Sequence, residues 1–404
     1  MIKCRICSHK VIPIITFGKM PIANGFVKKP SPKEFVFVLG IVFCPKCFMV
    51  QLEETVPPEK MFHDHYQFFS STSKGMENHF RAQAKHIKKL IKKNKNPFVV
   101  EIGSNDGIML KNLVKSKIKH LGIEPSKNVA QVSKKFGVNV ESVFFNQNYA
   151  KKISKKYGKA NIICGSNVIC HIEFINSVFE GVAELLADDG IFFFEEPYIY
   201  DIIKNSSFDQ IYDEHVFYYS GLSVSNLAKR NGLELVDMKH QDVHGGSMRY
   251  YLKKLNKNKI SSAVKKYIAL EKRIKLNTIE GYKNFRKKVN KICSDLKKLL
   301  LKLKKQRAKV VGYAATSKST TLLNYAKIGP DLIEYISDTT PTKIGLYSPG
   351  SGIPVKDYKY FSKHHPMYSV LFAYNHKKEI LAKEKEYRKK GGKFITYFPK
   401  VNVE

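Results

Sequence analysis

Three residues that could move a proton stand close together at Tyr212, Glu214 and His215. They combine a phenol, a carboxylate that can orient or charge an imidazole, and a base that titrates near neutral pH. A polar surface strand could carry the same residues, because acids and bases are recognised by geometry that a sequence does not give. We interpret the group as the candidate catalytic set of the chain.

A glycine turn indicates a second kind of chemistry, the binding of a nucleoside. Residues 98–102, FVVEI, form the short apolar run typical of a buried parallel strand. Gly103 and Gly107 then bracket a tight turn, and Glu124 ends the next predicted strand. An acid about twenty residues after such a turn is placed to bind a ribose diol. We therefore expect a nucleoside ligand at this turn.

The charges of the turn select the kind of nucleoside. A dinucleotide loop spaces its glycines G-x-G-x-x-G and holds a pyrophosphate, whereas this turn reads E-I-G-S-N-D-G. Glu101 and Asp106 would repel phosphate but suit a sulfonium and an ammonium group, and Asn105 lies between the glycines. An ordinary α/β turn with incidental acids is the alternative. The pattern favours S-adenosylmethionine as the ligand.

Cysteine spacing predicts a metal site near the N-terminus. Cys4 and Cys7 form one C-x-x-C pair, and Cys44 and Cys47 form another. Two such pairs can aim four thiolates at one zinc ion, and a zinc site closed by four thiolates is structural. A redox pair or a chance pairing is the alternative. Metal binding would supply part of the folding free energy of so small a domain.

Two further groups of residues are candidates for binding the substrate, and the first of them suits an anion such as a diphosphate. The run H-G-G-S-M-R at 244–249 offers backbone N–H groups, a hydroxyl and a guanidinium, although Arg249 could instead pair with a surface acid. A second strand-to-helix turn, G-Y-A-A-T-S-K-S, lies in the C-terminal part of the chain. The residues assigned to substrate binding are His244, Gly245, Ser247, Arg249 and Lys318.

An α/β architecture must position these residues. Short apolar runs alternate with helical periodicity from residue 98 onward and again from residue 309. Ligands of such sheets bind at the carboxyl ends of the strands, where Asn167 and His171 follow a predicted strand. We predict a zinc-ribbon domain at 1–62, a Rossmann-like S-adenosylmethionine-binding domain at 63–252, and a helical linker with a second Rossmann-like α/β domain at 253–404.

Lysine dominates the charge of the chain. The formal net charge is +35, but the lysines are spread over nearly the whole sequence, so we expect a solvated surface and no nucleic-acid partner. The longest apolar stretch, 35–43, is far shorter than the ~20 residues of a membrane helix. No signal peptide is visible, and the cysteine usage fits a reducing compartment. These features predict a cytoplasmic monomer with no membrane partner.

Taken together, the motifs resemble a known family, the S-adenosylmethionine-dependent sugar C-methyltransferases that act on nucleotide-linked keto-deoxysugars. The resemblance covers nearly the whole chain, with the four-cysteine domain, E-I-G-S-N-D-G, N-V-x-x-H-I, Y-D-E-H-V-F-Y-Y-S, H-G-G-S-M-R and the C-terminal α/β domain in one order. It implies a nucleotide-linked sugar as substrate, S-adenosylmethionine as cofactor and a structural Zn²⁺.

The resemblance also implies roles for single residues. In this family a base removes the proton from the carbon next to a ketone, and the resulting enediolate attacks the methyl group of the sulfonium. His215 would be the base, with Glu214 and Tyr212 beside it. His171 and Tyr66 would lie near the sugar. The residues that would line the cofactor are Gly103, Asp106, Glu124 and Asn167, with Glu101 and Asn105 of the same motifs.

Two other functions are compatible with the sequence. The same cofactor could serve methylation of a hydroxyl, amine or phosphoramide-type group on a surface polysaccharide precursor. The net charge of +35 and the cysteine pairs could instead belong to an RNA-binding or RNA-modifying zinc protein. That class predicts arginines and aromatic residues clustered on one face, and the sequence shows no such clustering.

Overall fold

A computed structural model describes residues 2–61, 70–72, 74–243, 245–256 and 258–404. Its strands lie in three sheets. In chain order they are β1 (Ile12–Pro21), β2 (Val36–Phe43), β3 (Val50–Leu52), β4 (Phe98–Ile102), β5 (Lys119–Ile123), β6 (Val140–Glu141), β7 (Ala160–Ser166), β8 (Leu186–Pro197), β9 (Phe217–Tyr218), β10 (Leu233–Gln241), β11 (Ser247–Lys254), β12 (Val310–Tyr313), β13 (Ile336–Asp338), β14 (Val355–Asp357), β15 (Tyr368–Leu371), β16 (Lys393–Thr396) and β17 (Asn402–Val403).

Helices connect and cover these sheets. In chain order they are α1 (Pro58–Met61), α2 (Lys74–Leu90), α3 (Lys111–Val114), α4 (Lys127–Lys135), α5 (Gln147–Tyr157), α6 (Ile175–Leu185), α7 (Ile199–Asn205), α8 (Gly221–Arg230), α9 (Ser262–Arg273), α10 (Lys283–Lys305), α11 (Ser317–Tyr325), α12 (Tyr358–His364), α13 (Lys377–Lys383) and α14 (Lys385–Lys389). No helix in the described part of the chain is long and apolar enough to span a bilayer.

The central sheet carries the glycine turn. Its order is β10-β11-β8-β7-β4-β5-β6, with β8 to β6 parallel and β11 and β10 antiparallel at one edge. Every side chain of β4 is buried, because helices cover both faces of a parallel sheet. The chain runs outward from β4 through β5 and β6 and then returns to β7. The order therefore reverses between β4 and β7, which is where ligands of such sheets bind.

The C-terminal sheet repeats this plan. Its order is β14-β13-β12-β15-β16-β17, with the strands parallel from β14 to β16. At the turn after β4, Gly103 N–H donates to Ile123 O across the neighbouring strand, and at the turn after β12, Ala314 N–H donates to Ser337 O in the same way, both at 2.8 Å. The predicted α/β class with two Rossmann-like sheets is confirmed.

The N-terminal sheet includes a strand from the middle of the chain. Its order is β1-β2-β3-β9, and β9 pairs antiparallel with β3. Val216 O accepts a hydrogen bond from Leu52 N–H at 2.8 Å, which extends this pairing to the residue that follows His215. The cysteine-bearing part of the chain is therefore joined by backbone hydrogen bonds to the candidate catalytic segment.

The lysine-rich region after β11 is helical, as the periodicity predicts. Helix α10 buries one apolar stripe against β1 and the C-terminal sheet and exposes its lysines. Helix α9 packs instead on α8 and β10 of the central unit. The domain boundaries near residues 62 and 252 remain predictions.

Candidate active site

A cavity of ≈ 420 Å³ lies at the carboxyl ends of β4, β5 and β7. Four of the residues predicted to bind the cofactor line it, namely Gly103, Asn105, Glu124 and Asn167. One wall is apolar and includes Ile123, Phe145 and Ile172, and the N-terminal part of α2 adds Met76 and Phe80. An enclosed apolar wall beside a carboxylate suits a nucleoside, because the base packs on carbon and the ribose hydroxyls donate to oxygen.

Glu124 is fixed in this cavity by backbone donors. Its Oε2 accepts from Asn105 N–H at 3.0 Å, and its Oε1 accepts from Ser126 N–H at 2.9 Å. Burial raises the pKa of the Glu124 carboxyl, although these hydrogen bonds oppose the rise. The Ser126 hydroxyl also bonds this carboxyl, which leaves about one of the four lone-pair positions of a carboxylate for a ribose hydroxyl.

Glu101 and Asp106 stand behind the cavity wall and do not line it. Asp106 Oδ2 accepts from the N–H and the hydroxyl of Ser71, at 3.0 and 2.5 Å. Burial, together with the charges of Asp106 and Glu124, raises the pKa of Glu101 well above its ordinary value. Among the described residues, Glu101 Oε2 and Asp106 Oδ1 are buried without a hydrogen-bond partner. A cluster of three acids suits a positively charged ligand, so these residues fit S-adenosylmethionine.

The glycine at position 103 is required by the turn that follows β7. Gly103 has φ +68°, and a Cβ on it would lie 2.4 Å from Val168 Cγ2. Val168 itself is held by Glu196, whose Oε1 accepts from the N–H groups of Val168 and Ile169 at 3.0 and 2.7 Å. This contact fixes the short helical turn Ile169–His171 and thereby places His171 at the cavity.

His171 connects the cavity to the candidate base. Its ring stacks on that of His215 with centroids 5.3 Å apart. Burial lowers the pKa of His171 to about 4, so its imidazole is neutral near pH 7. A neutral imidazole beside a second imidazole avoids charge repulsion and can still donate one N–H to an oxygen.

The hydrogen bonds of His215 define its tautomer. Its Nδ1 lies 2.9 Å from Gln210 O, and a carbonyl can only accept, so Nδ1 carries the proton of the neutral ring. Its Nε2 then presents a lone pair to the Tyr212 hydroxyl at 2.9 Å. The predicted pairing of Tyr212 with His215 is therefore present as a direct contact. It forms a phenol–imidazole pair that can accept a proton.

Glu214 forms a hydrogen bond with the N-terminal domain. Its Oε1 accepts from Asn24 Nδ2 at 2.7 Å, and Lys343 lies close enough for its charge to act on the carboxyl. Asp213 Oδ1 accepts from Ala23 N–H at 2.8 Å. Burial raises the pKa of Glu214, and it raises that of Asp213 to about 7 with the charge of Glu214 adding to the effect. These acids attach the catalytic segment to the N-terminal domain.

The residues predicted to bind the substrate divide into two groups. Arg249 is buried and donates to Glu195 Oε2 through Nε and Nη2, at 3.0 and 2.7 Å. Ser247 is also buried in β11 and donates to Val243 O. Gly245 and Lys318, in contrast, both face Tyr374, whose ring centroid lies 5.1 Å from Lys318 Nζ. The structure thus brings Gly245 and Lys318 together and leaves Arg249 and Ser247 inside the sheet.

Asp209 is a site residue that the sequence did not reveal. It is completely buried, and its two oxygens accept from the hydroxyls of Tyr374 and Tyr397 at 3.0 and 2.9 Å. Burial raises the pKa of Asp209 to about 7 against the opposing charge of Lys318. Its tyrosine partners lie 165 and 188 positions away, so no local motif marks the contact.

Two predicted residues, Tyr66 and His244, lie outside the described residues. Ser70, Phe144 and Phe174 line the cavity without having been predicted. Phe144 could have been found, because it follows the short strand β6 as the other site residues follow their strands.

The four cysteines converge near the N-terminus. All their sulfur atoms lie within 4.8 Å of one another, with Cys4 to Cys47 at 3.5 Å and Cys7 to Cys44 at 3.4 Å. Zinc bound tetrahedrally by thiolates at ~2.3 Å requires sulfur atoms about 3.8 Å apart. Both pairs lie on matching turns, in which the residue four positions after Cys4 and Cys44 donates its N–H to the carbonyl of that cysteine. The cluster therefore fits a structural Zn²⁺.

Three family models match successive parts of the chain. Residues 4–62 match a zinc binding domain, residues 76–238 match a methyltransferase domain, and residues 242–399 match the C-methyltransferase C-terminal domain. The C-methyltransferase NovU from Streptomyces niveus is 31% identical over 405 residues, which cover 99% of this chain and 96% of that protein.

Two solved methyltransferase structures each match a little under half of this chain. A magnesium protoporphyrin IX methyltransferase from Synechocystis with bound S-adenosylmethionine is 10% identical and covers 45% of this chain and 81% of its own, with a TM-score of 0.33. An S-adenosylmethionine-dependent methyltransferase from Anabaena variabilis is 14% identical and covers 43% and 86%, with a TM-score of 0.35.

Proposed function

This chain belongs to the C-methyltransferase family, and we propose that it methylates a carbon atom of a nucleotide-linked keto-deoxysugar. It is an S-adenosylmethionine-dependent methyltransferase with a zinc-binding N-terminal domain. The observation that carries the proposal is the pair of Tyr212 and His215 stacked beside His171 at the wall of the cofactor cavity. A ketone substrate explains why a base is needed there, since carbon becomes nucleophilic only after losing a proton.

The proton leaves the carbon next to the ketone and reaches His215. The Nε2 lone pair of His215 is directed at the Tyr212 hydroxyl, so Tyr212 accepts the proton from carbon as it passes its own proton to Nε2. The electron pair of the broken C–H bond becomes an enolate. Gln210 O keeps the opposite ring nitrogen protonated, and this holds the accepting lone pair in place.

His171 stabilises the enolate oxygen in this scheme. It is neutral near pH 7 because burial lowers its pKa to about 4, so it donates a hydrogen bond without giving up a proton. S-adenosylmethionine supplies an electrophilic methyl group when bound. Glu124, fixed by the backbone N–H groups of Asn105 and Ser126, would hold the ribose of the cofactor, and the thioether S-adenosylhomocysteine would be the leaving group once carbon has been methylated.

Product analysis tests the proposal directly. Purified protein is incubated with S-adenosylmethionine carrying a ¹³C-labelled methyl group and with a panel of nucleotide-linked 4-keto-deoxysugars and their 4-hydroxy counterparts. We expect a mass gain of one methylene for keto sugars only, with the labelled methyl bonded to carbon in the NMR spectrum. A labelled methyl on oxygen or nitrogen, or equal turnover of the hydroxy sugars, would contradict the proposal.

A further inference from the structure

Side chains of the C-terminal domain bind the segment that carries His215. The donors are Thr321, Tyr374 and Tyr397, none of which was predicted to be a site residue. We call residues 208–215 the base segment. It leaves the central unit after α7 and lies against α11 and the ends of β15 and β16. Among its contacts with the C-terminal domain are hydrogen bonds at Asp209 and Ile211, the two residues that flank the Gln210 carbonyl.

Asp209 provides the first of these contacts. Tyr374 and Tyr397, which follow β15 and β16, donate one hydroxyl each to its two carboxylate oxygens. Asp209 and Tyr397 are fully buried, so these hydrogen bonds are shielded from water. Lys318, at the start of α11, adds a positive charge that acts on the same carboxylate.

Thr321 on α11 provides the second contact. Its Oγ1 donates to Ile211 O at 2.8 Å, and the side chain is buried. Gln210 O lies between these two anchored residues and accepts from His215 Nδ1 at 2.9 Å. The direction of the Gln210 carbonyl is therefore set by contacts on both sides of it, and this direction decides which ring nitrogen of His215 is protonated.

We propose that the C-terminal domain fixes the tautomer and position of His215 through two sets of hydrogen bonds. Tyr374 and Tyr397 of that domain donate to Asp209, and Thr321 of that domain donates to Ile211 O. Asp209 and Thr321 are positioning residues in this view, since neither touches the reacting atoms. The consequence for turnover rests on the proposed function, in which His215 is the base, whereas the consequence for the tautomer does not depend on it.

Thr321→Val is the most selective test, because valine keeps the shape of threonine and removes only the hydroxyl. ¹⁵N-histidine labelling reports the tautomer of His215, with the spectrum of a His215→Gln variant identifying its signals. We expect the original protein to show the Nδ1–H form and Thr321→Val to show a mixture of tautomers. We also expect kcat to fall about tenfold with the KM for S-adenosylmethionine within about twofold of its original value. Thr321→Ser, which restores the hydroxyl, should recover both readouts.

Tyrosine variants provide an independent arm. Tyr397→Phe removes one donor to Asp209, and Tyr313→Phe is its control, because the Tyr313 hydroxyl bonds Glu384 within the C-terminal domain at 2.7 Å. We expect the His215 signals to change in Tyr397→Phe and to stay unchanged in Tyr313→Phe. Unchanged tautomer signals in both Thr321→Val and Tyr397→Phe would overturn the positioning role, whatever the substrate is. A shifted tautomer in a protein that methylates no keto sugar would instead support the positioning role and contradict the proposed function.

Discussion

Two adjacent glutamates on β8 show how the environment of a residue decides its chemistry. Burial acts to raise the pKa of Glu195, but its hydrogen bond to His79 and the charge of Arg249 outweigh burial and lower it. For Glu196 burial is the largest effect, and it raises the pKa of that carboxyl to about 7. Glu195 is therefore an ionised partner that joins α2 to the sheet, whereas Glu196 is protonated through much of the acidic range.

Replacement of Glu196 by Gln should change the pH dependence of stability. The pKa of Glu196 is raised above its unfolded value near 4.5, so the original protein loses stability as pH rises from about 4.5 to about 7, and the loss is complete above that. Gln keeps an oxygen for the two backbone donors and does not titrate. The free energy of unfolding of Glu196→Gln, relative to the original protein, should thus rise across this window by up to a few kcal/mol, of the order of 3.

Chemical denaturation at several pH values measures this difference. Glu195→Gln is the matched control on the same strand, since it breaks an ion pair and should lower stability throughout about pH 5 to 8. If the difference in unfolding free energy between Glu196→Gln and the original protein stays constant with pH, the raised pKa assigned to the buried Glu196 carboxyl is contradicted.

Residues that act through local chemistry could be predicted from the sequence. The spacing of the cysteine pairs predicts one cluster, and the spacing of Gly103 and Glu124 predicts one ligand site. In the structure the four cysteines converge, and Gly103 and Glu124 line the same cavity. The hydrogen bond between Glu214 and Asn24 could not be predicted, because the two residues lie 190 positions apart. Contacts of that separation depend on the packing of domains, which no local pattern encodes.

At the scale of elements, the N-terminal domain contacts the catalytic segment and helps to hold it in position. Strand β9 begins at Phe217, two residues after His215, and completes the sheet of the cysteine-bearing domain by pairing with β3. Asn24 of the same domain binds Glu214. Arg5, beside the first cysteine, forms an ion pair with Glu173 of the cavity wall at 3.1 Å. A structural metal that stabilises this domain therefore also helps to fix the position of His215.

Loss of zinc should reduce turnover more than cofactor binding. We expect Cys44→Ser to lower kcat at least about tenfold, because a distorted domain no longer holds β9 and Glu214. Affinity for S-adenosylmethionine should change less, since most of its cavity is built by the central sheet. Metal content, calorimetric binding of the cofactor and kcat are the three measurements.

Lys46→Ala is the control for that experiment, because it alters the exposed middle of the same turn and keeps all four thiols. A Cys44→Ser protein that lacks zinc, remains folded and turns over at the original rate would show that the N-terminal domain does not support the base.

At the scale of the whole molecule, the three sheets meet at one stretch of chain. The N-terminal sheet takes up β9, the central sheet supplies the turn of His171, and the C-terminal domain binds Asp209 and Ile211. The number and kind of sheets could be predicted, because alternation of strand and helix patterns is a property of the sequence. Their convergence on residues 208–219 could not, since it arises from pairings between parts of the chain far apart.

The central claim is that the base pair of Tyr212 and His215 removes a proton from carbon before methyl transfer. Its most direct test is hydrogen exchange in D₂O, with a nucleotide-linked 4-keto-deoxysugar accepted as substrate and with S-adenosylhomocysteine in place of the methyl donor. We expect the original protein to exchange the hydrogen next to the ketone, and His215→Gln to bind S-adenosylmethionine normally but exchange at least about a hundredfold more slowly. Exchange at the original rate in His215→Gln would contradict the account.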